Sequence, residues 1–138
     1  MRKIALTVLL VIASAAAQAG DGEPQAQLDA LLQRLKGGKY EGALQSLFAG
    51  SLALAQKPTE FKALDGQVKA AFEFFGPPTS WEILDTKPIG KDLVNIKMLS
   101  KQKDEVPLFW NTLFYRRHNS WEPVGIVFFD DPSKAGIW

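Results

Sequence analysis

The side chains able to do acid–base or metal chemistry are few and far apart. The 138-residue sequence holds one histidine, His118, and no cysteine. A single imidazole rules out a histidine-based metal site unless carboxylates supply every other ligand. The missing thiols exclude disulfides, thiol catalysis and cysteine-ligated metals. His118 lies in Arg117-His118-Asn119-Ser120, a run of turn formers, where a solvated loop residue is the plainer reading. A proton-transfer site needs a carboxylate or imidazole base and a tyrosine or acid donor converging on one pocket. On segments that read as strands, the polar candidates are Asp85, Asn111 and Tyr115. Asp85 adjoins a turn and reads as a solvated edge residue, and Tyr115 falls opposite Glu122 as an ordinary cross-strand pair. There is no glycine-rich phosphate loop, G-x-S-x-G elbow or Ser-His-Asp set. No catalytic residue is assigned, and no cofactor or metal is expected.

The elements that must position these groups are clearest in residues 106–129, VPLFWNTLFYRRHNSWEPVGIVFF. Aromatic, leucine and β-branched residues dominate, as suits a pleated surface, and Asn119 tolerates the left-handed conformation a tight hairpin needs. Centring the turn there sets Arg116 opposite Trp121, Phe114 opposite Pro123, Thr112 opposite Gly125, Trp110 opposite Val127 and Leu108 opposite Phe129. On the other face Tyr115 meets Glu122, Leu113 meets Val124, Asn111 meets Ile126, and Phe109 meets Phe128. Neither face alternates cleanly with polar residues, so both need cover. Pro123 predicts an edge strand or an irregular start to the last strand.

Upstream, Met1-Arg2-Lys3, the apolar run from Ile4 to Ala13 and Ala17-Gln18-Ala19 match a secretory signal peptide over residues 1–19. Cleavage is expected after Ala19, with Ala17 as the alternative. The run is too short for a membrane span. Removing Arg2 and Lys3 from the 16 basic residues leaves 14 against 15 acidic ones, which favours neither nucleic acid nor an anionic membrane. The reading is a soluble periplasmic or secreted protein of a Gram-negative-like bacterium, with one domain over residues 20–138 and no membrane anchor. Leu28, Leu31, Leu32 and Leu35 at i, i+3, i+4, i+7 predict a helix ended by Gly37-Gly38. Tyr40, Ala43, Leu44, Leu47 and Phe48 predict a second, and residues 51–57 a loop or ragged helical turn. Pro58 opens a third, with a stripe of Phe61, Leu64, Val68, Ala71, Phe72 and Phe75, stopped by Gly76-Pro77-Pro78. Gly66 inside it points to a close crossing with another helix. From Trp81 the pattern is strand: 81–87, 93–101 and then the hairpin. Lys97, Lys101, Lys103, Arg116 and Arg117 gather at strand ends and turns, as a solvated rim guarding the edges.

Three helices packed on a curved four-stranded antiparallel meander make an α+β domain. That order, with a last strand opening on Asn119-Ser120-Trp121 and running through Val124 to Phe129, resembles the NTF2-like (cystatin-like, cone-shaped) superfamily. It is most similar to small exported bacterial members without assigned activity. The resemblance implies a curved sheet around a pocket under the long helix. It also implies sheet-to-sheet pairing, on a fold that serves enzymes, binders and interaction modules alike. Two roles follow as expectations. One is an interaction module in the periplasm, a homodimer or a complex with another periplasmic protein, with Phe109 and Leu113 facing the partner. The alternative is a binder of a small apolar ligand, with Thr112 opposite Gly125 leaving a gap walled by Trp110, Phe114 and Trp121. The plainer account of that gap is a bulge at Gly125 whose space a helix side chain fills. An isomerase or dehydratase type of enzyme ranks behind both.

Overall fold

The computed structural model describes residues 23–137. The expected signal peptide and Trp138 lie outside the described residues. Four helices precede four strands: α1 (Pro24–Lys36), α2 (Ala43–Leu47), α3 (Leu52–Gln56), α4 (Pro58–Phe75), β1 (Pro78–Ile89), β2 (Leu93–Gln102), β3 (Pro107–Arg117) and β4 (Ser120–Phe129). The strands form an antiparallel meander in the order β1-β2-β3-β4, so the domain is α+β as expected. One helix more than expected is present. Residues 51–57 close into α3 because the Ser51 side chain accepts a hydrogen bond from Leu54 N at 3.2 Å, capping its first turn.

Helices α1, α2 and α4 are amphipathic for the reason their spacing gives. Leu28, Leu31, Leu32 and Leu35 of α1 are all buried, as are Ala43, Leu44, Leu47 and Phe48 around α2. Along α4 the buried stripe is Phe61, Val68 and Phe72, joined by one carboxylate, Asp65. Asp65 Oδ1 accepts from Leu44 N at 2.9 Å, so α4 supplies the cap that the start of α2 lacks in its own sequence. Gly66 marks no helix crossing: it is exposed, and a Cβ there would meet nothing within 4 Å.

The inner sheet face carries Val94, Ile96, Met98, Leu108, Trp110 and Phe114, all buried beneath α1 and α4. Phe72 of α4 stacks on Trp110 at 5.9 Å, and Trp110 on Phe128 at 4.8 Å. Gln27 and Asp29 of α1 reach opposite edges of the sheet. Gln27 Nε2 donates to Trp121 O on β4 at 2.8 Å, and Asp29 Oδ1 accepts from Trp81 Nε1 on β1 at 2.9 Å. Four strands span three gaps of about 4.8 Å, more than the width of one helix, so both edges meet α1 only if the sheet curls into a cone.

Candidate functional site

The β3–β4 hairpin turns at His118-Asn119, both with positive φ, which is the two-residue turn whose twist matches the flanking strands. Arg116 pairs with Trp121, Tyr115 with Glu122 and Phe114 with Pro123, as expected. Beyond that point the expected register fails. Leu113 faces Gly125, and Val124 is the extra residue of a β-bulge beside Pro123. Every later pair moves by one: Thr112 faces Ile126, Asn111 faces Val127, Trp110 faces Phe128 and Phe109 faces Phe129. Proline has no N–H for the ladder, so the strand breaks step there and resumes one residue on.

This slip settles the fate of the gap under the helices. Trp110, Thr112 and Phe114 are fully buried, and Trp121 is half-buried towards the α1 side of the cone. The space expected beside Thr112 is taken by Ile126, Phe128 and the α4 ring of Phe72. These four side chains therefore do not line an open gap together. Gly125, expected to open that gap, sits across from Leu113, and a Cβ there would meet nothing within 4 Å.

The same bulge turns apolar residues outward. The outer sheet face carries Leu93 and Leu99 of β2, Phe109, Leu113 and Tyr115 of β3, and Val127 and Phe129 of β4. Phe109 and Leu113 are half-buried, whereas Tyr115 is 38 %, Phe129 39 % and Val127 45 % exposed. Between Phe109 and Leu113 lies Asn111, whose side-chain amide donates to Ala135 O at 3.0 Å and whose Oδ1 accepts from Asn95 Nδ2. Val127 and Phe129 escape a pairing counted without a bulge; the bulge expected at Gly125 as the plainer account of the gap is present one residue earlier, at Val124. The signal present was Pro123 and Gly125 flanking one residue inside a strand.

A second feature is a groove of about 430 Å³ along the β4 edge, between α3, the start of α4 and the bulge. Phe48, Leu52, Phe61, Val124 and Ile126 make its apolar walls. Two carboxylates line it: Glu60 on α4 is exposed, and Glu122 is 7 % exposed and already engaged. Glu122 accepts from Arg117 at 3.0 Å and from Leu52 N at 3.3 Å. The hydrogen bond and charge of Glu122 hold the Arg117 guanidinium above its usual range. A carboxylate so held is an anchor for α3, not a free base.

The polar candidates do not converge. Asp85 pairs with Lys97 and Lys97 with Asn111, so Asp85 and Asn111 share one row of the outer face, two strands apart. Tyr115 lies four residues further along β3, about 13 Å away at 3.3 Å per residue. His118 is exposed in the hairpin turn. Arg116, expected at the rim, pairs with Asp92 at 3.3 Å and lies over the Trp121 ring at 5.3 Å. Among the described residues, no three His, Asp or Glu side chains cluster to hold a metal, and no helix is long and apolar enough to cross a membrane.

No family model and no curated protein matches the sequence. A solved structure does: a provisionally named NTF2-like transpeptidase from Campylobacter jejuni, 14 % identical, covering 74 % of this chain and 97 % of that one with a TM-score of 0.55. An identity that low carries the fold and nothing finer. The chain has an NTF2-like fold, an α+β cone with helices inside the curl of the sheet.

Proposed function

We propose that this chain is an exported, non-catalytic NTF2-like module that acts by protein association in the periplasm, using the outer sheet face as its interface. The observation that carries the reading is the half-exposed apolar row of Phe109, Leu113, Val127 and Phe129 on the face the helices leave uncovered. Pairing edge to edge is disfavoured, since each edge is guarded. β1 carries Pro78, Pro88 and two register shifts, and β4 carries Pro123 and its bulge, with α3 tied to Glu122. Association therefore goes through the face, as a two-fold homodimer or a complex of the same geometry.

The apolar-walled groove at the β4 edge favours a second reading, a binder of a small apolar ligand. The transpeptidation in the neighbour's name has less support here. Acyl transfer needs an activated nucleophile. Cysteine is absent, and the buried serines Ser51 and Ser100 are engaged in a helix cap and a core hydrogen-bond chain. Native mass spectrometry of the purified protein tests the proposal. A clean dimer free of additional mass is the expected result, and a monomer that retains a small molecule overturns it in favour of the groove.

A further inference from the structure

The chain does not end at β4. Residues 130–137 fold into a self-contained turn that lies back against the outer face. Ser133 donates to Asp131 Oδ1 from both its N–H (2.9 Å) and its hydroxyl (2.7 Å). Ala135 N donates to Asp131 O at 3.3 Å, Gly136 N to Ser133 O at 3.2 Å, and Ile137 N to Pro132 O at 3.0 Å. These bonds stay within the segment, so it can leave the sheet as a unit without breaking them. Among the described residues its hydrogen bond to the sheet is the one from Asn111 Nδ2 to Ala135 O, at 3.0 Å. One small side chain, Ala135, is buried there at 1 % exposure. Lys134 beside it is exposed.

The position of this contact matters more than its strength. Asn111 points to the same face as Phe109 and Leu113 and lies midway between them on β3. A second copy seated on Phe109 and Leu113 would need the space that Ala135 fills. We infer that residues 130–137 are a displaceable strap, one that competes with a partner for the outer sheet face and so sets the strength of association. The inference rests on the outer-face reading above and adds its regulation. A ligand that differs in affinity between two states shifts their balance, so a second copy that binds only the strap-free face draws the strap off. One hydrogen bond, the Ala135 methyl and the partial burial of Pro132 and Ile137 make a small lock, one that a partner seated on the same face can open.

Gly136 provides the handle for the test. Its φ is +67°, and a Cβ there would lie 3.2 Å from Asn111 Nδ2, so Gly136→Val in the full chain strains the strap backbone and crowds the atom that donates to Ala135 O, weakening its hold on the sheet. Ala135→Asp does so independently, by placing a carboxylate where the methyl is buried. Trypsin cleavage after Lys134 reads strap release, and sedimentation equilibrium reads association. In both variants we expect cleavage on the order of tenfold faster and a dimer dissociation constant at least about fivefold lower, with the melting temperature kept. The strap is overturned if neither variant speeds cleavage after Lys134. It is equally overturned if both do and the dissociation constant is unchanged or higher. Leu113→Lys, added to each chain, separates the two ideas. If association survives it, the outer-face reading fails and takes the strap with it. If it abolishes association while strap release has no effect, the strap alone fails.

Discussion

Trp110 is the largest fully buried side chain, and its indole N–H must find an acceptor inside the core. It donates to Ser100 Oγ at 2.8 Å, Ser100 donates to Gln102 Oε1 at 2.7 Å, and Gln102 Nε2 donates to Val106 O at 2.6 Å. The sequence displays Trp110 plainly but hides its acceptor, because Ser100 reaches it only through the pairing of β2 with β3. Ser100→Ala leaves a buried donor and acceptor unpaired, and we expect a loss of about 1–3 kcal/mol in urea unfolding. Asp131 gives a residue-scale prediction in pH. Its hydrogen bonds from Ser133 hold its carboxyl below the ordinary value of 3.8. A lowered folded pKa contributes stability above the unfolded value and loses it as pH falls through the folded one. The strap turn should therefore stay intact from neutral pH down to the ordinary carboxylate range and loosen only below it. The Ser133 amide resonance, followed by NMR through an acid titration, checks this, and a shift well above pH 4 contradicts it.

At the scale of elements, α4 combines a helix interior with a residue that serves no packing role. Gly66 is exposed with open space around it, so Gly66→Ala removes backbone freedom from the unfolded chain and introduces no clash. We expect about 0.5–1 kcal/mol of added stability, seen as a melting temperature a few degrees higher. The leucine stripe of α1 and the phenylalanine stripe of α4 were legible because helical spacing is a local signal. The hairpin turn was legible too, since His118-Asn119 takes the left-handed conformation its residue types allow. What escaped was non-local or one residue in extent. The Asp65 cap on α2 joins positions 21 residues apart. A bulge was expected at Gly125, but its effect on register was not: placed at Val124, it moves every pair from Leu113 to Phe109 by one and exchanges Phe128 with Val127 and Phe129 between faces. A period-two signal cannot reveal such a slip when both faces of a strand are apolar.

For the whole molecule, the decisive fact is that helices line one side of a curled sheet. The inner face is packed around Trp110 and Phe72, and the outer face keeps half-exposed phenylalanine, leucine and valine. Of the candidate ligand residues, Trp110, Thr112 and Phe114 are core and Trp121 is half-buried, whereas Phe109 and Leu113 are half-buried on the outer face. Prolines and bulges guard both edges, so a partner has the outer face to use. Charge placed on that face should separate subunits without unfolding them, because Phe109 and Leu113 are only half-buried within one chain. The measurement that bears most directly on this account is light scattering of the parent chain and of the Phe109→Asp, Leu113→Lys double variant at high micromolar concentration. A dimeric mass for the parent and a monomeric mass for the variant, with melting temperatures within a few degrees of each other, is the predicted result. A parent chain that stays monomeric and captures no partner, or a double variant that remains dimeric, would contradict it.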